Sequence, residues 1–400
     1  MTQPETQAVL KALSPAGQEL RFVGGCVRDA ILGRPVNDLD IATADLPDEV
    51  IQLLVRAEIK AVPTGLAHGT VTALVNHIPF EITTLRRDVE TDGRRATVAF
   101  TQDWREDAAR RDLTINALSC RPDGEIFDYF GGLDDLRAGR VRFVGSAAQR
   151  IAEDYLRILR FFRFQARYGR DAADAQALQA VTQAAPKLSR LSGERVRSEL
   201  LRLLEVADPL PTLAVMRDRE ILATVLPEAT DLATLKSVLD LQPDAPAFLR
   251  LAAWLTGDAA AAQAIAERLR LSNSQARLLA TYLSPPLPAA LTAQARLDAK
   301  ALKLSFYRQG RQRGLELLLL QLGRQALASP DRRAAVWREA QALAAAWTDP
   351  NFPVRGADLL ACGLENGPEV GRALRKLENW WIEQDYQPDR QACLRALAQL

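Results

Sequence analysis

Histidine is scarce in this sequence. Across 400 residues only His68 and His77 occur, so chemistry built on a histidine base has few candidates. Cysteine is scarce too: Cys26, Cys120, Cys362 and Cys393 lie far apart, with no CxxC pair. That spacing argues against thiolate zinc and against a disulfide scaffold, and it fits a reducing cytosol. No apolar run reaches the roughly 18 residues that a membrane span needs. The opening MTQPETQAVLKALSP has no charged start followed by an apolar stretch, so no secretory signal is expected; the expected location is cytoplasmic. A strong charge bias is also missing. The net charge is +1, so any surface that attracts nucleic acid must be local. What is present is an ordinary globular composition, 48% hydrophobic and 25% charged, in a chain long enough for about two to four domains.

The first third mixes strand and helix. LRFVGG reads as a short buried strand ending in a glycine turn, and CVRDAILG as a helix closed by Gly33. VNDLDIAT, residues 36–43, reads as a second strand, and DEVIQLLVRAE as an amphipathic helix. HGTVTALVNHIPFEITTLR alternates as a hairpin does, breaking at His77–Pro79. Residues 86–105 are charged and glycine-punctuated and read as a mobile loop, and PDGEIFDYFGGLDDLRAG as a turn-rich exit. After about residue 145 strand signals fade. Helical patterns run over 149–169, 173–184, 192–206, 246–271, 289–325 and 331–347. The expected fold is an α/β N-terminal domain with a small mixed sheet, followed by an all-α remainder.

Asp38 and Asp40 raise the first functional question. Aspartate is a poor strand former, yet alternate strand residues share a face, so both carboxylates would project together with Leu39 pointing into the core. Two close carboxylates repel and raise each other's pKa; a divalent cation removes the conflict, and hard oxygen ligands suit Mg²⁺ that also binds phosphates and water. Upstream, Gly24 and Gly25 separate a strand from a helix. Glycines there let backbone amides approach a phosphate, and Arg28 lies one turn further on, where it can pair with one.

VGGCVRDAILGRPVNDLDIAT resembles the signature of the class II tRNA nucleotidyltransferase and bacterial poly(A) polymerase family, within the polymerase-β-like nucleotidyltransferases. The resemblance implies that the Gly24–Gly25 pair and Arg28 hold the NTP triphosphate and that Asp38 and Asp40 bind catalytic Mg²⁺. It also implies a third carboxylate on a later strand, for which Glu81 in PFEITTLR is the candidate. RRDLTINA is similar to the family's second motif. Arg111 matches its nucleotide-contacting arginine, and Asp112 and Asn116 offer groups suited to a ribose 2′-hydroxyl. His68 falls in a family-like stretch and is expected to be a packed or satisfied histidine.

EDYLRILRFFRFQARYGR, residues 153–170, resembles the family's EDxxR motif. On a helical wheel Tyr155, Ile158, Leu159, Phe162 and Ala166 form a core stripe, and Arg157, Arg160, Arg163, Arg167 and Arg170 a basic face. Phe161 and Phe164 fall on or beside that face. Asp154 and Arg157 are one turn apart. Aspartate only accepts hydrogen bonds and arginine only donates. Cytosine and adenine each place an amino donor beside a ring-nitrogen acceptor, so this pair suits CTP and ATP and rejects UTP and GTP. The family match adds Arg160 and Arg163 as nucleotide contacts. RLSGERVRSEL, with Ser192 as a possible N-cap, is similar to a buttressing motif.

The resemblance therefore implies addition of C, C and A to the tRNA 3′ end from CTP and ATP. The expected domains are a nucleotidyltransferase head over 1–140, a helical neck over 141–206 and a tRNA-binding body and tail over 207–400. RLDAKALKLSFYRQGRQRG and the segment 352–380 are candidate RNA-facing stretches. No membrane and no protein partner are inferred. An A-adding enzyme or a poly(A) polymerase is the near alternative. The full-length stretch between the first two motifs argues against an enzyme that adds only CC, and the lack of a basic tail argues against a poly(A) polymerase. An inactive RNA-binding module is the alternative from another class, against which every matched position carries the expected residue type.

Overall fold

The structure, a computed structural model, describes residues 2–36, 38–92, 95–284, 296–325 and 329–397. The chain divides into two compact units, one of residues 1–230 with 265–271 and one of residues 231–264 with 272–400.

The first unit opens with helix α1 (Pro4–Leu13) and a mixed sheet. The strands are β1 (Arg21–Val23), β2 (Asp40–Thr43), β3 (Lys60–Gly65), β4 (Thr70–Val75), β5 (Ile78–Thr84), β8 (Ser119–Cys120) and β9 (Ile126–Phe127), with β6 (Arg86–Asp92) and β7 (Arg95–Phe100) forming a separate pair. The sheet order is β3-β4-β5-β2-β1-β8-β9. Among the described residues, β2 and β5 are the one parallel pair of this sheet, and its other neighbours are antiparallel. The β4–β5 hairpin turns on Asn76 and His77, with φ of 50° and 65°. Positive φ at both central residues is what a two-residue type I′ turn requires. Helix α2 (Gly25–Ile31) follows β1, and α3 (Pro47–Arg56) buries Val50 and Leu54.

Several elements differ from the sequence expectation. The strand read over 36–43 begins only at Asp40, and Leu39 is half-buried rather than in the core. The stretch 86–105 is not a bare loop: β6 and β7 pair antiparallel there and α4 (Trp104–Ala109) follows. The turn-rich exit contains β9 and α5 (Gly132–Ala138). His68 is exposed, and its carbonyl accepts from Arg86.

The helix read over 149–169 is two helices, α6 (Ala147–Glu153) and α7 (Leu156–Tyr168). Between them Asp154 is extended, with φ −155° and ψ 110°. α7 packs on α9 (Gly193–Leu204), and α6 on α8 (Ala175–Ala184). Phe161 is buried and stacks on Phe143 at 5.6 Å, and Phe164 stacks on Tyr168 at 5.6 Å. Both aromatics were expected beside a basic face. They are buried because that face is itself packed, with Arg163 over the Phe164 ring at 4.4 Å. Ser192 does stand at the N-cap of α9, but its side chain makes no capping bond. Helix α10 (Leu210–Asp218) completes the run of helices before Thr230.

Beyond Thr230 the described residues form helices and the turns between them. The pattern read over 246–271 breaks into α12 (Ala247–Trp254) and α13 (Ala259–Arg268), after α11 (Leu232–Leu241). After α14 (Asn273–Leu283), the pattern read over 289–325 becomes α15 (Ala299–Gln309) and α16 (Arg311–Arg324), divided at Gly310, where φ is 87°; its first residues lie outside the described ones. α17 (Pro330–Ala346) precedes a tail core of Leu359, Leu377, Trp381 and Cys393.

Candidate active site

The site starts where β1 ends. Gly24 caps α2 with φ 72°, and its N–H donates to the Leu118 carbonyl at 3.0 Å. A Cβ there would lie 2.9 Å from Arg111 Nη1. The positive φ is what calls for glycine there; the arginine tip is the end of a flexible side chain and could move aside. Arg28, one turn into α2, is buried. Its Nε and Nη2 donate to the two Asp29 oxygens at 3.1 and 2.8 Å, and its Nη1 donates to Asn116 Oδ1. Three of its five N–H groups are thus engaged.

Asp40 opens β2, and the parallel register sets Glu81 of β5 opposite it. Burial pushes the Asp40 carboxyl above its ordinary value; the Glu81 carboxylate adds to this, Arg111 opposes it and Asp38 adds a little more. Asp38 and Glu81 are exposed, and Asp38 precedes the strand rather than standing in it. The pairing of their charges thus arises from a loop residue, a strand end and a neighbouring strand. Among the described residues no three His, Cys, Asp or Glu side chains already close up as a metal cage. The donor set still suits Mg²⁺: all-oxygen, anionic and mutually repelling around Asp40, leaving positions for water and phosphate.

A chain of polar contacts leads away from Arg28. Asn116 Nδ2 donates to Asp112 Oδ1 at 3.0 Å, as does the Leu113 N–H at 2.9 Å, and Arg160 Nε donates to Asp112 Oδ2 at 2.6 Å. Burial alone would raise the Asp112 pKa, but Arg160 and these hydrogen bonds overrule it and lower it to about 2. Arg163 Nε donates to Glu199 Oε2 at 2.6 Å. Arg111 pairs with Asp107 at 3.3 Å and donates to the Asn116 carbonyl at 3.3 Å. The folded chain thus brings Gly24, Arg28, Arg111, Asp112, Asn116, Arg160 and Arg163 into one connected cluster.

Asp154 and Arg157 are close in sequence but face different partners. Asp154 Oδ2 accepts from Arg195 Nη2 at 2.6 Å, while its Oδ1 accepts from the Leu156 N–H at 3.0 Å. Arg157 pairs with Glu153 and donates to the carbonyls of Arg150 at 2.8 Å and Arg110 at 3.0 Å. One-turn spacing did not pair them, because Asp154 stands outside the helix. Sequence reasoning missed Glu153, Arg195 and Glu199 as partners. The signal was indirect: several arginines on a packed helix need carboxylates nearby.

Residues 20–142 match the family profile described as "Poly A polymerase head domain", and residues 174–232 that described as "Probable RNA and SrmB- binding site of polymerase A". The chain is 36% identical over 394 residues to the mitochondrial CCA tRNA nucleotidyltransferase 1 of Danio rerio, covering 95% of this chain and 87% of that one. It is 34% identical over 415 residues to the Homo sapiens protein of the same name, covering 98% and 92%. The CCA-adding enzyme of Bacillus stearothermophilus in complex with CTP superposes with a TM-score of 0.71 at 26% identity, covering 100% of this chain and 98% of that one. With this match along nearly its whole length, the chain belongs to the family of class II CCA-adding tRNA nucleotidyltransferases and bacterial poly(A) polymerases.

Proposed function

We propose that the cluster around Asp40, Arg28 and Asp112 is where this protein, a CCA tRNA nucleotidyltransferase, adds C, C and A to the tRNA 3′ end from CTP and ATP. The observation that carries the site is Arg111, which lies against the Gly24 turn, shares Asn116 with the buried Arg28 and acts electrostatically on the Asp40 carboxylate. Asp38 and Asp40 would hold Mg²⁺, with Glu81 facing them; when bound, Mg²⁺ supplies Lewis-acid activation of the primer 3′-hydroxyl and neutralises the departing pyrophosphate. Arg28 offers its two remaining N–H groups to the triphosphate. The Gly24–Gly25 backbone permits close approach of that anion. Asp112 and Asn116 present groups suited to the ribose. Asp154 and Arg157 supply an acceptor and a donor for the cytosine or adenine edge, and Arg160 and Arg163 flank them. For Asp154 and Arg157 to act on one base, each must share or exchange its present partner, Arg195 and Glu153 respectively. The head, neck, body and tail over 1–140, 141–206 and 207–400 remain part of this reading, with tRNA on the body and tail.

The test supplies purified protein with tRNA lacking CCA, lacking only A, or complete, and with each NTP singly. CTP is expected to extend the first substrate and ATP the second. Asp38→Ala and Asp40→Ala are each expected to reduce extension by about 10³-fold or more. Survival of extension in both would refute the metal assignment. Long A-tails on unrelated RNA would establish the poly(A) polymerase instead.

A further inference from the structure

Arg28 is held by two residues that no part of the reading above uses. Its guanidinium fork grips Asp29, the next residue along, through Nε–Oδ1 at 3.1 Å and Nη2–Oδ2 at 2.8 Å. Adjacent residues on a helix point in different directions, so this fork does not follow from spacing. The Asp29 carboxylate also accepts a hydrogen bond from the Tyr168 hydroxyl at 2.8 Å, across 139 positions of sequence. Tyr168 is the last residue of α7 and is buried. Its ring lies under the same guanidinium, with Arg28 Cζ 4.4 Å from the ring centroid. One tyrosine thus supports Arg28 twice, from below through its ring and sideways through the carboxylate it binds. The Phe164 ring flanks the same guanidinium at 5.2 Å. Arg34 lies over the Tyr168 ring at 4.8 Å and Arg167 at 5.6 Å, so the surroundings of Asp29 and Tyr168 are otherwise cationic.

We propose that Asp29 and Tyr168 are positioning residues that lock the Arg28 guanidinium toward the triphosphate and tie that arginine to the base-reading helix α7. The arrangement leaves Arg28 little rotational freedom, since Asn116 holds its remaining terminal nitrogen. A donor already oriented loses less entropy when the anion binds. Because α7 also carries Arg157, Arg160 and Arg163, the same tyrosine keeps the triphosphate contact and the base contact in one rigid frame.

The inference rests on Arg28 contacting the triphosphate, and the experiment separates the two. The full-length Tyr168→Phe protein keeps the ring and loses the hydroxyl. It is expected to raise KM for CTP and for ATP by roughly five- to tenfold, the scale of one ordinary intramolecular hydrogen bond, with kcat nearly unchanged. Inhibition by added pyrophosphate should weaken by the same factor. Asp29→Asn should behave alike. In an Arg28→Ala background, Tyr168→Phe should add nothing further. Loss of thermal stability in Tyr168→Phe with unchanged KM and unchanged pyrophosphate inhibition would overturn the inference, as would an equal penalty with and without Arg28. If Arg28→Ala itself leaves both quantities unmoved, the triphosphate assignment falls and the inference falls with it.

Discussion

Asp112 shows how one residue of the site is set by its neighbours. Buried carboxylates are costly unless paired and hydrogen-bonded, and this one accepts from Leu113, Asn116 and Arg160. Its pKa is therefore about 2 against an ordinary 3.8. A folded pKa below the unfolded one contributes stability that is fully present above about pH 4 and is lost as pH falls toward 2. The size is on the order of 2 kcal/mol. Asp112→Asn is expected to lose stability at pH 7 but to show a flatter fall between pH 4 and pH 2. Urea midpoints of the two proteins across that range measure it; parallel curves would mean that Arg160 does not hold Asp112 ionised.

At the scale of elements, the decisive feature is the break at Asp154. An unbroken helix over 149–169 would have placed Asp154 and Arg157 on one turn. The extended residue instead frees the carboxylate to meet Arg195 in the first turn of α9. α9 is held in place partly by its own start. A Cβ on Gly193 would lie 2.0 Å from the Arg268 carbonyl oxygen, so the residue-193 backbone and the residue-268 backbone approach as only glycine allows. α9 thus aims Arg195 at Asp154 as well as buttressing α7. Removing the arginine in Arg195→Ala is expected to lower kcat/KM for both CTP and ATP by about tenfold, through a mobile Asp154, and to narrow the preference over UTP. Single-nucleotide incorporation with all four NTPs checks this. Unchanged selectivity would mean that Asp154 is oriented by its bond to the Leu156 N–H alone.

At the scale of the molecule, residues 265–271 belong with the first unit although some thirty residues of the second separate them from Thr230 in sequence. Arg197 of α9 donates to the Leu269 carbonyl at 3.3 Å, and also to that of Arg270. Arg268 pairs with Glu228 at 2.7 Å. A fragment ending at Thr230 leaves Arg197 and Glu228 without these partners, whereas one ending at Leu271 keeps them. The shorter fragment is expected to melt several degrees lower, as loss of about 1–2 kcal/mol implies; circular dichroism melts of the two fragments decide. Among the described residues no helix is long and apolar enough to cross a membrane.

The sequence by itself determined the strand, glycine turn and helix around Gly24–Gly25 and the change from mixed to helical structure after about residue 145; these follow from local causes, periodicity and glycine at a turn with positive φ. The candidate nucleotide-site residues came instead from the family resemblance, since they lie far apart along the chain. Tertiary structure alone decided which charges meet. Glu81 reaches Asp40 because β5 lies parallel to β2, Tyr168 reaches Asp29 because α7 ends beside α2, and Asp154 meets Arg195 because a helix that could have continued is broken between Glu153 and Leu156. Asp40 and Glu81 are like charges set together by strand register alone; for the other contacts burial is the physical reason. A buried arginine or carboxylate is tolerated only with a partner of opposite charge in hydrogen-bonding geometry, and packing across the fold chooses that partner.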